Sequence, residues 1–223
     1  MKNPKPIDKI ILIDKPDNMS SFGVVARVRR VLRDKIGTKI KVGHTGTLDP
    51  FATGLLILLA GKATKRSNEF LKNDKEYIAE IYLGATSSTG DPEGEIVAGS
   101  DYQPSLEEIN EACSKFVGRI LQKVPAFSAV KINGQRAYKL AREGKEVETP
   151  TREVSIYSIE VLDYSYPILR IKTHVSSGTY SRALGEDIGA VLGTGAYLTA
   201  LRRTKIGDYD VSDAVTLDEF MKG

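Results

Sequence analysis

Sulfur and imidazole chemistry is nearly missing from this chain: Cys113, His44 and His174 are the only cysteine and histidines among its 223 residues. A single cysteine forms no internal disulfide, and one thiol with two imidazoles cannot assemble a cysteine-built zinc site. No bound metal is therefore expected. The longest apolar run, Leu55 to Ala60, is far shorter than the roughly 20 residues a bilayer-spanning helix needs. The opening stretch from Met1 to Ile10 holds no apolar region of signal-peptide length. These absences predict a soluble, cytoplasmic protein that makes no membrane contact. Neither a Walker pattern nor a dinucleotide fingerprint occurs, so no nucleotide cofactor is expected. Excess charge is scarce too. The formal net charge of +3 is too small by itself to point to a polyanion.

The distribution of charge says more. Arg27, Arg29, Arg30, Arg33, Lys35, Lys39 and Lys41 gather against Asp34 alone, and Lys131, Arg136, Lys139, Arg142 and Lys145 form a second basic stretch. Arg202, Arg203 and Lys205 make a third, while acidic residues collect at Asp91 to Glu95, Glu107 to Glu111 and Asp208 to Glu219. Segregation of this kind predicts a nucleic-acid footprint on one face, although solvated helix faces produce similar clusters. The pattern of apolar residues predicts strands over Lys9 to Asp14, Leu55 to Ala60, Glu76 to Leu83, Ser128 to Ile132, Val154 to Leu162, Ile168 to Val175 and Tyr197 to Ile206. Helices are expected after a Ser20 or Ser21 cap, over Lys62 to Leu71, over Ser105 to Phe116 behind a capping box, over Gln135 to Glu143 and over Thr179 to Leu192, with a stub at Leu217 to Met221. Thr86 to Gly94 reads as a polar loop, and Leu184, Ile188, Val191 and Leu192 as an inward face. The order is not a regular βαβ alternation. The fold class expected is α+β, a mixed and mainly antiparallel sheet flanked by helices, in one domain over residues 1–223.

The most informative segment runs from Gly43 to Leu56, Gly-His-Thr-Gly-Thr-Leu-Asp-Pro-Phe-Ala-Thr-Gly-Leu-Leu. It puts His44 and Asp49 in a stretch rich in glycine and proline, which restrict the backbone around the acid, and leads directly into the apolar run. A carboxylate held there could act as a nucleophile or electrostatic partner at an oxocarbenium-like sugar carbon. An isolated Asp-Pro pair more often just closes its own turn. Two further segments stand out: Lys75-Glu76-Tyr77 at a strand start, and Ser177-Gly178-Thr179-Tyr180-Ser181-Arg182 at a helix start. Taken alone, the tyrosine would be core packing and the arginine a surface residue.

The fourteen-residue segment resembles the active-site signature of the TruB family of tRNA pseudouridine synthases, G-H-x-G-x-L-D-P-x-A-x-G-L-L. Lys75-Glu76-Tyr77 is similar to the family's K-x-Y, and Ser177 to Arg182 to its S-x-G-T-Y-x-R element. Asp14 to Ser21 resembles D-K-P-x-G-x-[ST]-S, with Asn18 where glycine is usual, a substitution that left-handed geometry tolerates. Val124 to Lys131 is similar to P-P-x-[YF]-S-A-x-K, with Val124 for the first proline, and Leu198 to Gly207 to the L-R-R-T-x-x-G strand. The resemblance covers about residues 8 to 220. It departs at the end, where bacterial members usually continue into an RNA-binding PUA domain; this chain is expected to lack one.

The resemblance implies the pseudouridine synthase catalytic fold with a central active-site cleft, and isomerisation of uridine 55 in the tRNA T loop. It implies that Asp49 attacks the ribose C1′ or the base C6, that Arg182 keeps Asp49 ionised, and that Tyr77 stacks on the uracil and removes the C5 proton. His44 is implied to fill the stacking gap left by the flipped base, a binding role that needs no proton transfer. Tyr180 and Leu201 are implied to line the base, with Lys15 and Lys75 also on the binding side. The partner expected is the tRNA T arm, met by a monomer that uses neither metal nor cofactor. Three other readings stand beside it: a non-catalytic T-arm-binding module, a guide-RNA-dependent relative acting on other RNA, and a glycosidase. The last has no second carboxylate placed beside Asp49 by any motif.

Overall fold

The computed structural model describes residues 8–132 and 134–223. The first-strand, helix-cap and motif expectations all fall within them; Met1 to Ile7 lie outside the described residues. In chain order the first elements are β1 (Lys9–Lys15), α1 (Ser21–Ile36), β2 (Val42–His44), β3 (Thr53–Ala60), α2 (Ser67–Leu71) and β4 (Lys75–Leu83). Next come β5 (Ala85–Ser87), β6 (Ile96–Ala98), α3 (Leu106–Ser114), β7 (Gly118–Lys123), β8 (Lys131–Ile132), β9 (Gln135–Arg136) and α4 (Ala137–Arg142). The remainder is β10 (Thr151–Ser165), β11 (Ile168–Val175), α5 (Ser181–Leu192), β12 (Ala196–Ile206), β13 (Tyr209–Asp210), β14 (Val215–Thr216) and α6 (Leu217–Lys222). The chain divides into two compact units, residues 1–77 with 201–223, and residues 78–200. Strands β4 and β12 each run from one unit into the other.

The first unit is organised around β3, which is buried along nearly its whole length. It pairs antiparallel with β1 from Lys9↔Ala60 to Lys15↔Gly54, and parallel with β12 at Arg202↔Thr53 and Arg203↔Gly54. Successive side chains of a strand point to opposite faces, so an uninterrupted apolar run must be covered on both. Leu56, Leu58 and Ala60 join Ile11, Ile13, Val24, Val25, Val28 and Leu32 in one core. Leu55, Ile57 and Leu59 join Ala63, Phe70 and Ile206 in the other. Helix α1 begins where the sequence predicts: Ser20 accepts the Gly23 N–H at 3.0 Å, and Asn18 adopts φ +56°. The turn before α1 therefore keeps the left-handed geometry for which Asn substitutes.

The second unit carries the antiparallel hairpin β10–β11, turning at Tyr166-Pro167, with β7 on the other side of β10 from Thr151↔Lys123 to Ile156↔Gly118. Helix α3 has the expected reciprocal cap between Ser105 and Glu108. Several local expectations need correction. The helix expected over Lys62 to Leu71 opens as a 3-10 segment, Gly61–Arg66, before α2. The polar loop Thr86 to Gly94 lies within a β5–β6 hairpin, and β7 (Gly-Arg-Ile-Leu-Gln-Lys) was not expected because its exposed face dilutes the apolar signal. Val191, expected inward, is 46% exposed; α5 is buried along Arg182, Ala183, Leu184, Gly185, Ile188 and Gly189.

Candidate active site

The turn that carries Asp49 is held at almost every backbone group around it. Thr45 donates its N–H to the Ile57 carbonyl at 3.0 Å. Buried Ser21, at the start of α1, grips Leu48 twice: its hydroxyl donates to the Leu48 carbonyl at 2.9 Å and accepts the Leu48 N–H at 2.8 Å. The Asp49 carbonyl accepts the Ala52 N–H at 3.1 Å. Lys15 Nζ reaches the Pro50 carbonyl at 3.0 Å while also donating to Met19 O at 2.6 Å and Pro16 O at 2.8 Å. Asp49 itself is half-buried. Its carboxylate thus hangs from a backbone whose two flanking residues are pinned by separate elements.

The electrostatics of this unit are dominated by buried cations. Lys15 is fully buried, and desolvation pulls its ammonium down to about 8, against the opposing pull of Asp17 and Asp49. Burial and the Arg203 charge lower Lys75 to about 8, and Asp74 partly offsets them. Lys75 Nζ donates to the carbonyls of Leu71 and Asn73. His44, half-buried, is pushed below the ordinary imidazole value by burial and then by Arg203. Its Nδ1 accepts the Gly46 N–H at 3.4 Å, which suits a neutral ring. Tyr77 shares the buried face of β4 with Lys75, and Leu201 shares a face of β12 with Arg203, two residues on; all four are at least 90% buried.

A stability consequence follows from Lys15. A lysine whose folded pKa is below its ordinary value of 10.5 binds more protons unfolded than folded between about 8 and 10.5, so its contribution to stability rises with pH across that window. Comparing urea midpoints of wild type and Lys15→Met at pH 7, 8.5 and 9.5 isolates it, because buried Cys113, raised to about 11, is common to both. The wild type should show the steeper upward pH slope. Equal slopes would remove the buried ammonium from the account.

The second unit holds Tyr180 and Arg182. Tyr180 precedes α5, and buried Gln122 clamps its backbone from both sides, accepting its N–H at 2.8 Å and donating to its carbonyl at 3.1 Å. Arg182 is not a surface arginine: it is 5% exposed and donates to Thr89 O at 2.7 Å and Phe127 O at 2.8 Å. Its guanidinium lies 3.3 Å from Asp91. Asp91 is fixed in turn, taking the Thr89 hydroxyl at 2.6 Å and the Glu93 N–H at 3.0 Å. Gln122 was not singled out by the sequence, and Ser21, Asp91 and Arg203 stood there only as a cap candidate, part of an acidic cluster and part of a basic stretch. Apart from the local bonds of Asp91 to Thr89 and Glu93, their partners lie far along the chain, and no local spacing announces such contacts.

The third basic stretch is also corrected. Arg203 is buried, and Arg202 is engaged by Asp14 through two contacts of 2.7 and 3.0 Å. Arg203 is therefore closed to a phosphate, while the Arg202 side chain stays 40% exposed beside its carboxylate. Arg27, Arg30 and Arg33 on α1 are exposed, as are Lys131, Arg136, Lys139, Arg142 and Lys145. Among the described residues no cluster of three or more His, Cys, Asp or Glu could hold a metal ion, and no helix is long and apolar enough to cross a membrane.

Comparison with known proteins gives this geometry its context. The family profile described as TruB family pseudouridylate synthase (N terminal domain) matches residues 29–181, and that of the tRNA pseudouridylate synthase B C-terminal domain matches residues 182–222. The tRNA pseudouridine synthase B of Phocaeicola vulgatus is 46% identical over 214 residues, 95% of this chain and 91% of that protein. The protein of the same name from Desulfotalea psychrophila is 48% identical, over 93% of this chain and 85% of its own length. Among solved structures, a Cbf5-Nop10-Gar1 complex contains a chain matched with a TM-score of 0.74 at 29% identity, over 96% of this chain. This chain spans 53% of that one. An H/ACA RNP bound to a substrate RNA containing 2′-deoxyuridine matches with a TM-score of 0.71 at 27% identity, over 96% of this chain and 52% of the other. With one family profile covering most of its length and relatives near half identical along almost all of it, this chain belongs to the TruB family of pseudouridylate synthases.

Proposed function

We propose that this chain is a tRNA pseudouridine synthase, a cytoplasmic monomer that binds the tRNA T arm and isomerises uridine 55. The observation that carries the proposal is Asp49, a half-buried carboxylate on a turn pinned at Leu48 and Pro50 within the family's signature segment. A turn with no chemical task gains nothing from holding an acid so firmly where a polyanion must approach.

In the reaction proposed, the target base is extruded from the stack, at a cost of a few kcal/mol. His44, whose burial disfavours the charged ring, offers a flat ring to the vacated stacking position. Tyr77 and Leu201 hold the uracil, with Tyr180 lining it. Asp49 adds at C1′, displacing N1, or at C6; the N1–C1′ bond breaks, the base turns, C5 bonds to C1′, and the bond to Asp49 is released to regenerate the carboxylate. The C5 proton then leaves, with Tyr77 as its acceptor, and N1 regains a proton, so the substrate is only rearranged. Arg182 has the task of keeping the acid ionised. Lys15, whose three protons meet three carbonyls, positions the turn more than it contacts RNA.

The exposed arginines of α1 supply part of the phosphate track in this reading. Replacing Arg27, Arg30 and Arg33 together by glutamine should weaken tRNA binding and lower the slope of log Kd against log salt by about 2. The expected drop is below three because Asp34 already pairs with Arg33 at 2.7 Å. An unchanged slope would put the RNA elsewhere.

The experiment that tests the function is tritium release from an unmodified tRNA transcript labelled at uridine C5. One tritium released per tRNA, with pseudouridine at position 55, supports the proposal. Tight binding without release would favour a non-catalytic T-arm-binding module. A guide-RNA-dependent role is the weaker alternative, because the tRNA synthase B relatives are 46–48% identical to this chain and the ribonucleoprotein structures 27–29%.

A further inference from the structure

Arg203 is a buried charge to which neither the motif nor the resemblance assigns a task. It is 1% exposed and among the bulkiest fully buried side chains described. Burying a guanidinium is unfavourable unless its donors are met, and an apolar residue of similar volume would stabilise a strand as well or better. The donors of Arg203 meet backbone carbonyls: Nη2 to Gly46 O at 3.2 Å, Nη1 to Thr47 O at 3.4 Å and Nε to Leu55 O at 2.8 Å. Two of those carbonyls precede Asp49 and the third follows it. The planar fork therefore spans the mouth of the turn like a strut. The strand supports the strut closely, since a Cβ on Gly54 would lie 2.3 Å from the Arg203 carbonyl. Gly54, at φ +100°, is the residue that lets β12 approach this near.

We propose that Arg203 is a positioning residue for Asp49: by tying Gly46, Thr47 and Leu55 together it fixes the width of the turn, and with it the place where the carboxylate is presented. The inference rests on the catalytic role of Asp49 proposed above. Ser21 and Lys15 hold the residues flanking the acid, and Arg203 holds the ends of the segment. The charge also acts at a distance, since it is one of the causes lowering His44 and Lys75. An ammonium cannot reproduce three divergent bonds from one planar group, so Arg203→Lys keeps the charge and loses the strut.

The test is single-turnover tritium release at saturating transcript, together with transcript Kd and amide hydrogen exchange, for wild type and Arg203→Lys. The expected result is a rate constant lower by about 100-fold, the scale of an ångström-sized misplacement, with Kd within a few fold and faster exchange over residues 46–55. A folded Arg203→Lys protein with a rate constant close to wild type would overturn the proposal, however much its Tm had fallen. If that variant does not fold, Gly46→Ala strains one clamped carbonyl at φ +154° and leaves Arg203 in place. It should show the same split at about tenfold, and an unchanged rate would overturn the proposal there too. Failure of the wild type to release tritium would instead sink the functional reading, and the exchange comparison would still decide whether Arg203 sets the turn.

Discussion

Asp49→Asn is expected to reduce turnover by about four orders of magnitude or more, the scale on which enzymes lose activity when a nucleophile is removed, while tRNA Kd stays within a few fold. The substitution is nearly isosteric, and the contacts that hold this turn are to its backbone: Ser21 to Leu48, Lys15 to Pro50, Ala52 to Asp49. They survive the loss of charge. What disappears is the anionic oxygen, in either version of the first step, since an amide neither attacks C1′ or C6 nor stabilises positive charge there. Binding should be spared because phosphate contacts belong to exposed cations, not to a half-buried acid. Side-by-side tritium release and filter binding read both quantities. A variant that kept a tenth of the wild-type rate would rule out Asp49 as the reacting group.

The second large effect concerns Arg182, and it appears in stability before it appears in kinetics. Arg182→Met leaves the Asp91 carboxylate buried, 6% exposed on its side chain, without the guanidinium at 3.3 Å. It also removes the donors to Thr89 O and Phe127 O. Breaking one side of a buried pair costs about 3–5 kcal/mol, and Asp91 cannot turn elsewhere because Thr89 and Glu93 hold its other oxygen. Arg182→Lys should recover only part of that, since a point charge cannot serve an acid and two carbonyls that a planar fork reaches together. Combining Arg182→Met with Asp91→Asn should be less destabilising than the sum of the two single changes, because the uncompensated charge is gone. Urea unfolding of the four proteins measures this coupling; strict additivity would mean that the pair contributes nothing. Activity measured on folded Arg182→Lys is a separate readout. A near-normal rate would argue against the role proposed for it in keeping Asp49 ionised.

How far these residues were readable in the chain depended on the range of the interaction involved. The apolar run Leu55 to Ala60 read as a buried strand, Ser20 or Ser21 and Ser105 as caps, and Asn18 as a left-handed turn residue, because each signal is complete within a few residues. The Gly43 to Leu56 segment marked Asp49 through its resemblance to the family signature, since an Asp-Pro pair alone reads as a turn. Local pattern misled elsewhere: β7 is diluted by polar side chains, β5 and β6 are only three residues long, with the apolar β6 exposed, and Val191 has helical spacing yet is 46% exposed. The largest revision was to the meaning of charge. Arg203 sits in a run that reads as basic surface, yet folding carries it to carbonyls 148 to 157 positions away. Arg182 likewise meets Thr89, 93 positions away. By itself the sequence determined the helix caps and the long buried strands, since those rest on short-range sterics and on the pattern of apolar burial. Only the tertiary structure decided which cations are buried supports and which are open to RNA, because a guanidinium looks the same in a sequence whether a carbonyl or water receives its protons.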